Sequence, residues 1–166
     1  MTVCIDTNVV LGMFGRAGPW LALRKALISG QLVWAVTTDI LLEYEEVAAR
    51  EIGGTAALQL IRFIDLLDQT RGNVRRVSPT FRFLLITEDP DDNKFSDCAI
   101  VAEADHIITS DRHFAVLTGA GYGPQPVTPA EFISRHLCVP AAATQPVVGR
   151  AGRSASQPSP RKHFPK

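Results

Sequence analysis

The stretch Val3-Cys4-Ile5-Asp6-Thr7-Asn8 opens the chain with a short apolar run that ends on an aspartate, and His106-Ile107-Ile108-Thr109-Ser110-Asp111 repeats that pattern far downstream. Short apolar runs bounded by polar residues read as buried strands. If both are parallel strands of one sheet, their ends share an edge. In open α/β sheets that edge, beyond the carboxyl ends of the strands, is where ligands bind. Asp6 and Asp111 are thereby delivered to one place.

Outward from these runs, strand-like and helix-like segments alternate. Residues 20–28 carry apolar side chains at helical spacing, with Gly30 as the stop. Residues 32–36 predict a second strand, after which Thr37 or Thr38 caps a helix to about Arg50 with Asp39 in its first turn. Gly53-Gly54 breaks it, and a further helix spans 55–69. Residues 74–77 predict an edge strand interrupted by Arg75 and Arg76, and 81–88 fit neither pattern. Residues 94–104 predict a helix with Phe95, Cys98, Ala99 and Ala102 on one face, and 126–128 a fifth strand. Thr128-Pro129-Ala130-Glu131 is a capping box that opens a final helix through Leu137. The alternation predicts an α/β fold in three layers, a central and mainly parallel sheet of four to five strands between helices.

Composition sets the limits. The 166 residues fit one domain, and the apolar share of 46% is ordinary for a globular chain. A formal net charge of zero hides an asymmetry: residues 1–138 carry 17 acidic and 12 basic side chains, whereas residues 139–166 carry five basic and no acidic ones. We therefore expect a folded domain over 1–138 and a disordered basic tail rich in proline, alanine and serine over 139–166, too poor in apolar surface to offset its ordering entropy. No secretory leader or membrane span is expected. Cys4, Cys98 and Cys138 form no C-x-x-C, and Cys4 and Cys98 have apolar neighbours, which predicts buried free thiols and a cytoplasmic setting. The four histidines show no ligand spacing with the cysteines, so a structural zinc site is not expected.

Taken singly, the acidic residues have plain explanations. An aspartate after a strand caps turns, Glu43 resembles its exposed neighbours Glu45 and Glu46, and Asp89, Asp91 and Asp92 sit where a helix N-terminus favours negative charge. Asp97 differs, because it lies between Phe95 and Cys98 at the border of an apolar face, where a carboxylate needs a partner. Jointly, two strand-end aspartates with Thr7 and Thr109 nearby, plus acids arriving from helices, suggest a shared cleft. Carboxylates packed within a few ångströms repel by about 4 kcal/mol at an effective dielectric near 20. A hard divalent cation, Mg²⁺ or Mn²⁺, removes that repulsion.

The chain resembles the PIN domain, the fold of many bacterial toxin ribonucleases (VapC-like) of toxin–antitoxin pairs. The resemblance rests on Val3-Cys4-Ile5-Asp6-Thr7-Asn8-Val9, on Thr37-Thr38-Asp39-Ile40-Leu41-Leu42-Glu43-Tyr44 and on Asp89-Pro90-Asp91-Asp92-Asn93-Lys94-Phe95-Ser96-Asp97. It continues through Ala104-Asp105-His106-Ile107-Ile108-Thr109-Ser110-Asp111 and ends at Val127-Thr128-Pro129-Ala130-Glu131-Phe132. Carried over, the family's metal ligands fall on Asp6, Glu43, Asp97 and Asp111, with Asn8, Thr109 and Asp92 in support. Ser110 and Arg112 flank Asp111 where the subgroup often has glycine and lysine, a change to the local loop rather than to the ligand.

The resemblance implies an Mg²⁺- or Mn²⁺-dependent endoribonuclease that leaves 5′-phosphate and 3′-hydroxyl ends. It further implies a cognate antitoxin as partner, and leaves room for a homodimer. Asp6 and Asp97 would be the principal ligands, Asp111 and Glu43 would hold a second position, and no histidine is required as base. Arg71, Arg75, Arg76, Arg82 and Arg112 are candidate phosphate contacts, although solvated surface arginines are the plainer account of each. Trp20 is expected in the core, with a partner surface as its other use. Two other classes fit parts of the pattern. An aspartate-based phosphatase would use Asp6 as nucleophile but wants an acid where Asn8 stands. A catalytically silent PIN-like module that binds RNA or protein would be signalled by a missing ligand, and none is missing.

Overall fold

The computed structural model describes residues 1–14 and 18–137, so Cys138 and the expected tail over 139–166 lie outside the described residues. Five strands, β1 (Thr2–Ile5), β2 (Val33–Val36), β3 (Val74–Arg76), β4 (His106–Ile108) and β5 (Gln125–Val127), form one sheet in the order β3-β2-β1-β4-β5. Every pairing is parallel, as the alternating pattern requires. The helices are α1 (Thr7–Phe14), α2 (Leu21–Ile28), α3 (Thr38–Ile52), α4 (Gly54–Arg71), α5 (Asn93–Val101) and α6 (Pro129–Phe132). Val3, Cys4 and Ile5 of the central strand are all fully buried although their side chains alternate between faces, so the sheet is covered on both sides. This is the three-layer α/β/α arrangement read from the sequence.

Local chemistry explains most element boundaries. Thr37 is the cap of α3, its hydroxyl oxygen accepting the Ile40 N–H at 3.1 Å. At α6 the Thr128 hydroxyl accepts from the Glu131 N–H and donates to the Glu131 carboxylate, the expected capping box. That last helix does run to Leu137, but its final turn over Ile133–Leu137 is π-wound. Residues 8–14, apolar but unassigned from the sequence, belong to α1, whose first free N–H groups, those of Val9 and Val10, bond the Asp6 carbonyl. The helix expected over 94–104 stops earlier. Glu103 adopts a left-handed φ of 48° and the Ala104 N–H closes onto the Ala99 carbonyl, which turns the chain into β4. Residues 81–88 form no regular element, and β3 is an edge strand as its two arginines suggested.

The core unites Trp34, Tyr44, Phe95, Phe114 and Phe132 with the strand aliphatics, and Cys4 and Cys98 are buried free thiols within it. Trp20 is half-buried against this core, in keeping with the packing use. Gly12 of α1 makes room for it, since a Cβ there would lie 2.4 Å from Trp20 Cδ1. Gly12→Ala should therefore push the indole outward and cost about 1–3 kcal/mol by overpacking. A red shift of tryptophan emission with a lower urea midpoint checks this, and unchanged emission would refute it. No helix among the described residues is long and apolar enough to cross a membrane.

Candidate active site

The chain leaves β1 toward β2 and β3 on one side and returns to place β4 and β5 on the other. The crevice at this reversal, beyond the carboxyl ends of β1 and β4, is where such sheets bind ligands. Ile5 pairs level with Ile108, so Asp6 and Thr109 leave the sheet side by side. The Thr109 hydroxyl donates to Asp6 Oδ2 at 2.7 Å and accepts the Asp111 N–H at 2.9 Å. One buried threonine thus joins both strand-end aspartates, the supporting place expected of it. Asp111 also does the plain work of a cap, because its Oδ1 accepts the His113 N–H at 2.8 Å and starts the 3₁₀ turn Arg112–Leu117.

Asp6 is only 6% exposed. Burial pushes its carboxyl above the ordinary range, the Thr109 hydroxyl and the Asn8 backbone N–H pull it back, and the charges of Asp111 and Glu43 raise it again. Asp6, Glu43 and Asp111 thus share one electrostatic neighbourhood. Asn8 contributes through its backbone, since its residue is exposed in the first turn of α1.

Glu43 is brought in by its neighbour. The buried Tyr44 phenol donates to the Ile5 carbonyl, which fixes α3 against the end of β1. Glu43 then meets Thr7, whose hydroxyl donates to Oε1, while the Lys94 ammonium pairs with Oε2. Both carboxylate oxygens are engaged.

Among the described residues, Asp89, Asp92 and His113 each offer a ligating atom, all mutually within 4.8 Å. His113 Nδ1 lies 3.3 Å from both Asp92 Oδ2 and Asp111 Oδ1, and its Nε2 3.5 Å from Glu88. The Asp92 carboxyl is pushed up to about 6, first by burial, with the His113 contact opposing and the charges of Asp89, Asp111 and Asp6 adding. Asp89 also behaves as the cap expected of it, accepting the Asp91 N–H at 3.1 Å. Buried Asn93 anchors this turn: its Oδ1 accepts the Ile86 N–H at 2.9 Å while Nδ2 donates to the Ile86 and Pro90 carbonyls.

Asp97 stands apart. It is buried as its position implied, and its Oδ1 accepts the Phe83 N–H at 3.0 Å. It lines a small cleft with Thr37, Asp39, Pro79, Arg82 and Lys94 rather than joining the Asp92–His113 group. Lys94 lines that cleft and the neighbouring one that contains Glu43, Asp89 and Asp92. Of the arginines, Arg76 pairs with Asp65 and Asp68 of α4, and Arg82 lies 3.9 Å from Asp39.

Carboxylates gathered around one imidazole are the donor chemistry of a divalent cation. The residues present therefore fit such an ion. Sequence reasoning assigned no role to Lys94, Asn93 or His113. For His113 the Asp111-x-His113 spacing was the available signal; for Lys94 it was a lone cation after a run of acids.

The profile of the PIN domain family matches residues 2–113. In structure the chain is similar to one in the crystal structure of VapBC2 from Rickettsia felis bound to a DNA fragment from their promoter, with 13% sequence identity and a TM-score of 0.52. The superposition covers 77% of this chain and 98% of that one, and at such identity it shows shared fold. No curated protein matches the sequence.

Proposed function

The chain belongs to the PIN domain family, and from that premise we propose that it is a divalent-metal-dependent endoribonuclease acting as the toxin of a toxin–antitoxin pair. The observation that carries the proposal is the linkage of the acids beyond the ends of β1 and β4: Thr109 joins Asp6 to Asp111, His113 joins Asp111 to Asp92, and Thr7, next to Asp6, bonds Glu43. Asp6, Asp92 and Asp111, with Asp89 and His113 beside them, would hold the cation, and Thr109 would orient Asp6. Asp97 also holds residues 81–88 against α5 by its bond to the Phe83 N–H, and it remains, as the sequence implied, a candidate ligand from the neighbouring cleft.

An Mg²⁺ or Mn²⁺ ion bound there supplies an activated water and shields charge on the phosphate. The chain's own part is to keep the carboxylates oriented and partly desolvated. The exposed Arg82 and Arg112 flank the crevice and would contact phosphates of the RNA on either side. The cognate antitoxin enters on the likeness to a chain of a VapBC complex.

The test is cleavage of a mixed RNA panel by the purified chain in Mn²⁺, abolished by chelation. An intact panel together with no Mn²⁺ binding would overturn the proposal. A pH dependence follows as well. A carboxylate binds metal only when ionised, so with Asp92 titrating at about 6 the apparent Mn²⁺ affinity should be flat above that pH and fall about tenfold per unit below it. The sign for stability is the reverse. The raised value means that the metal-free fold is most favoured while Asp92 is protonated and loses stability as pH climbs from the ordinary carboxylate value of 3.8 through about 6. Calorimetric titrations across that range check the first trend and urea unfolding the second.

A further inference from the structure

We infer that Lys94 is a built-in second cation of this centre, so that the chain loads one divalent ion where the acidic residues alone would call for two. The inference rests on the nuclease reading and adds to it the metal count and the residue that sets it.

Beside Asp6, the acids of the crevice fall into two groups. One is gathered around Asp92, with Asp89 and His113 within 4.8 Å and Asp111 reached through the His113 ring. The other is Glu43, and it is already neutralised. Its Oε2 pairs with the Lys94 ammonium and its Oε1 accepts the Thr7 hydroxyl. The pair is held in place, with side chains only 25% and 23% exposed, well below the exposure at which solvent makes a surface ion pair worth little. An ion binding at Glu43 would have to displace an ammonium from a partly desolvated carboxylate and would leave that ammonium without its partner, which is costly.

The position of Lys94 is set by the fold. It is the second residue of α5, directly after Asn93, whose three side-chain bonds fix the start of that helix. From there it lines both the cleft of Glu43, Asp89 and Asp92 and the cleft of Asp97, Asp39 and Arg82. Among the described residues the only other lysine or arginine paired with an acid of these clefts is Arg82, 3.9 Å from the exposed Asp39. In two-ion nucleases the ions neutralise the attacking and the leaving oxygens. Here the lysine supplies one of those charges as a fixed ammonium.

The experiment is Mn²⁺ binding to the full chain, counted by calorimetry and by the amplitude of the free-ion electron paramagnetic resonance signal. The wild type should take up roughly one ion, Lys94→Met roughly two, and Lys94→Arg, which keeps the charge, roughly one. Methionine is well tolerated in a helix and in a partly apolar site, and a far-UV spectrum matching wild type shows that the variant is folded. Two ions on the wild type, or one on a folded Lys94→Met, would overturn the inference and leave the nuclease reading standing. No ion on the wild type would overturn the reading itself and the inference with it.

Discussion

Asp6→Asn should lower Mn²⁺-dependent RNA cleavage by roughly three orders of magnitude, about 4 kcal/mol of transition-state stabilisation, while the protein stays folded. Asp6 is the acid that both sides of the crevice share. It ends the central strand, accepts the Thr109 hydroxyl and feels the charges of Glu43 and Asp111. Asparagine keeps its shape and an oxygen for Thr109 but cannot offer a negative ligand. Stability should change by no more than about 1 kcal/mol, because losing one acceptor for the Asn8 N–H is offset by removing a buried charge. Growth arrest on expression should disappear along with cleavage. Equal cleavage by the two proteins would remove Asp6 from the site and with it the proposed chemistry.

Asn93→Ala should cost about 3–5 kcal/mol, a large part of the 5–15 kcal/mol typical of a domain. The side chain closes both polar groups of the buried Ile86 backbone and also holds the Pro90 carbonyl. Alanine leaves the Ile86 N–H and C=O without these partners, at about 1–3 kcal/mol each. The turn that carries Asp89 and Asp92 is pinned by the same bonds, so Mn²⁺ affinity should weaken in the folded fraction as well. Urea unfolding with an unchanged m-value measures the loss. A cost below about 1 kcal/mol would show that water or a shifted backbone satisfies Ile86, and that Asn93 does not organise the turn.

Much of the fold was legible because its signals are local. Apolar runs of strand length, the Thr37 and Thr128 caps and the Gly53-Gly54 break each act within a few residues, and all five strands were read within a residue of their ends. The misses were local conflicts settled by tertiary contacts. Residues 8–14 fold as helix because Asp6 ends a central strand and offers its carbonyl to the next turn. The helix leading into β4 ends early because Glu103 accepts a left-handed conformation, which no pattern of apolar residues announces.

For the site the division is sharper. The sequence by itself determined that Asp6 and Asp111 end parallel strands, because strand register and the parallel crossover rule place such ends on one edge. Which helical acids lean over that edge was decided only by the tertiary structure. Asp92 and Asp97 are five residues apart on adjoining elements, and the sequence favoured Asp97. In the fold, Asn93 and Ile86 set the turn that brings Asp92 to His113, whereas Asp97 bonds the Phe83 N–H. Electrostatic partnership depends on distances of a few ångströms across the chain, and segments 81–88 and 112–117, which carry no strong periodic signal, supply those distances.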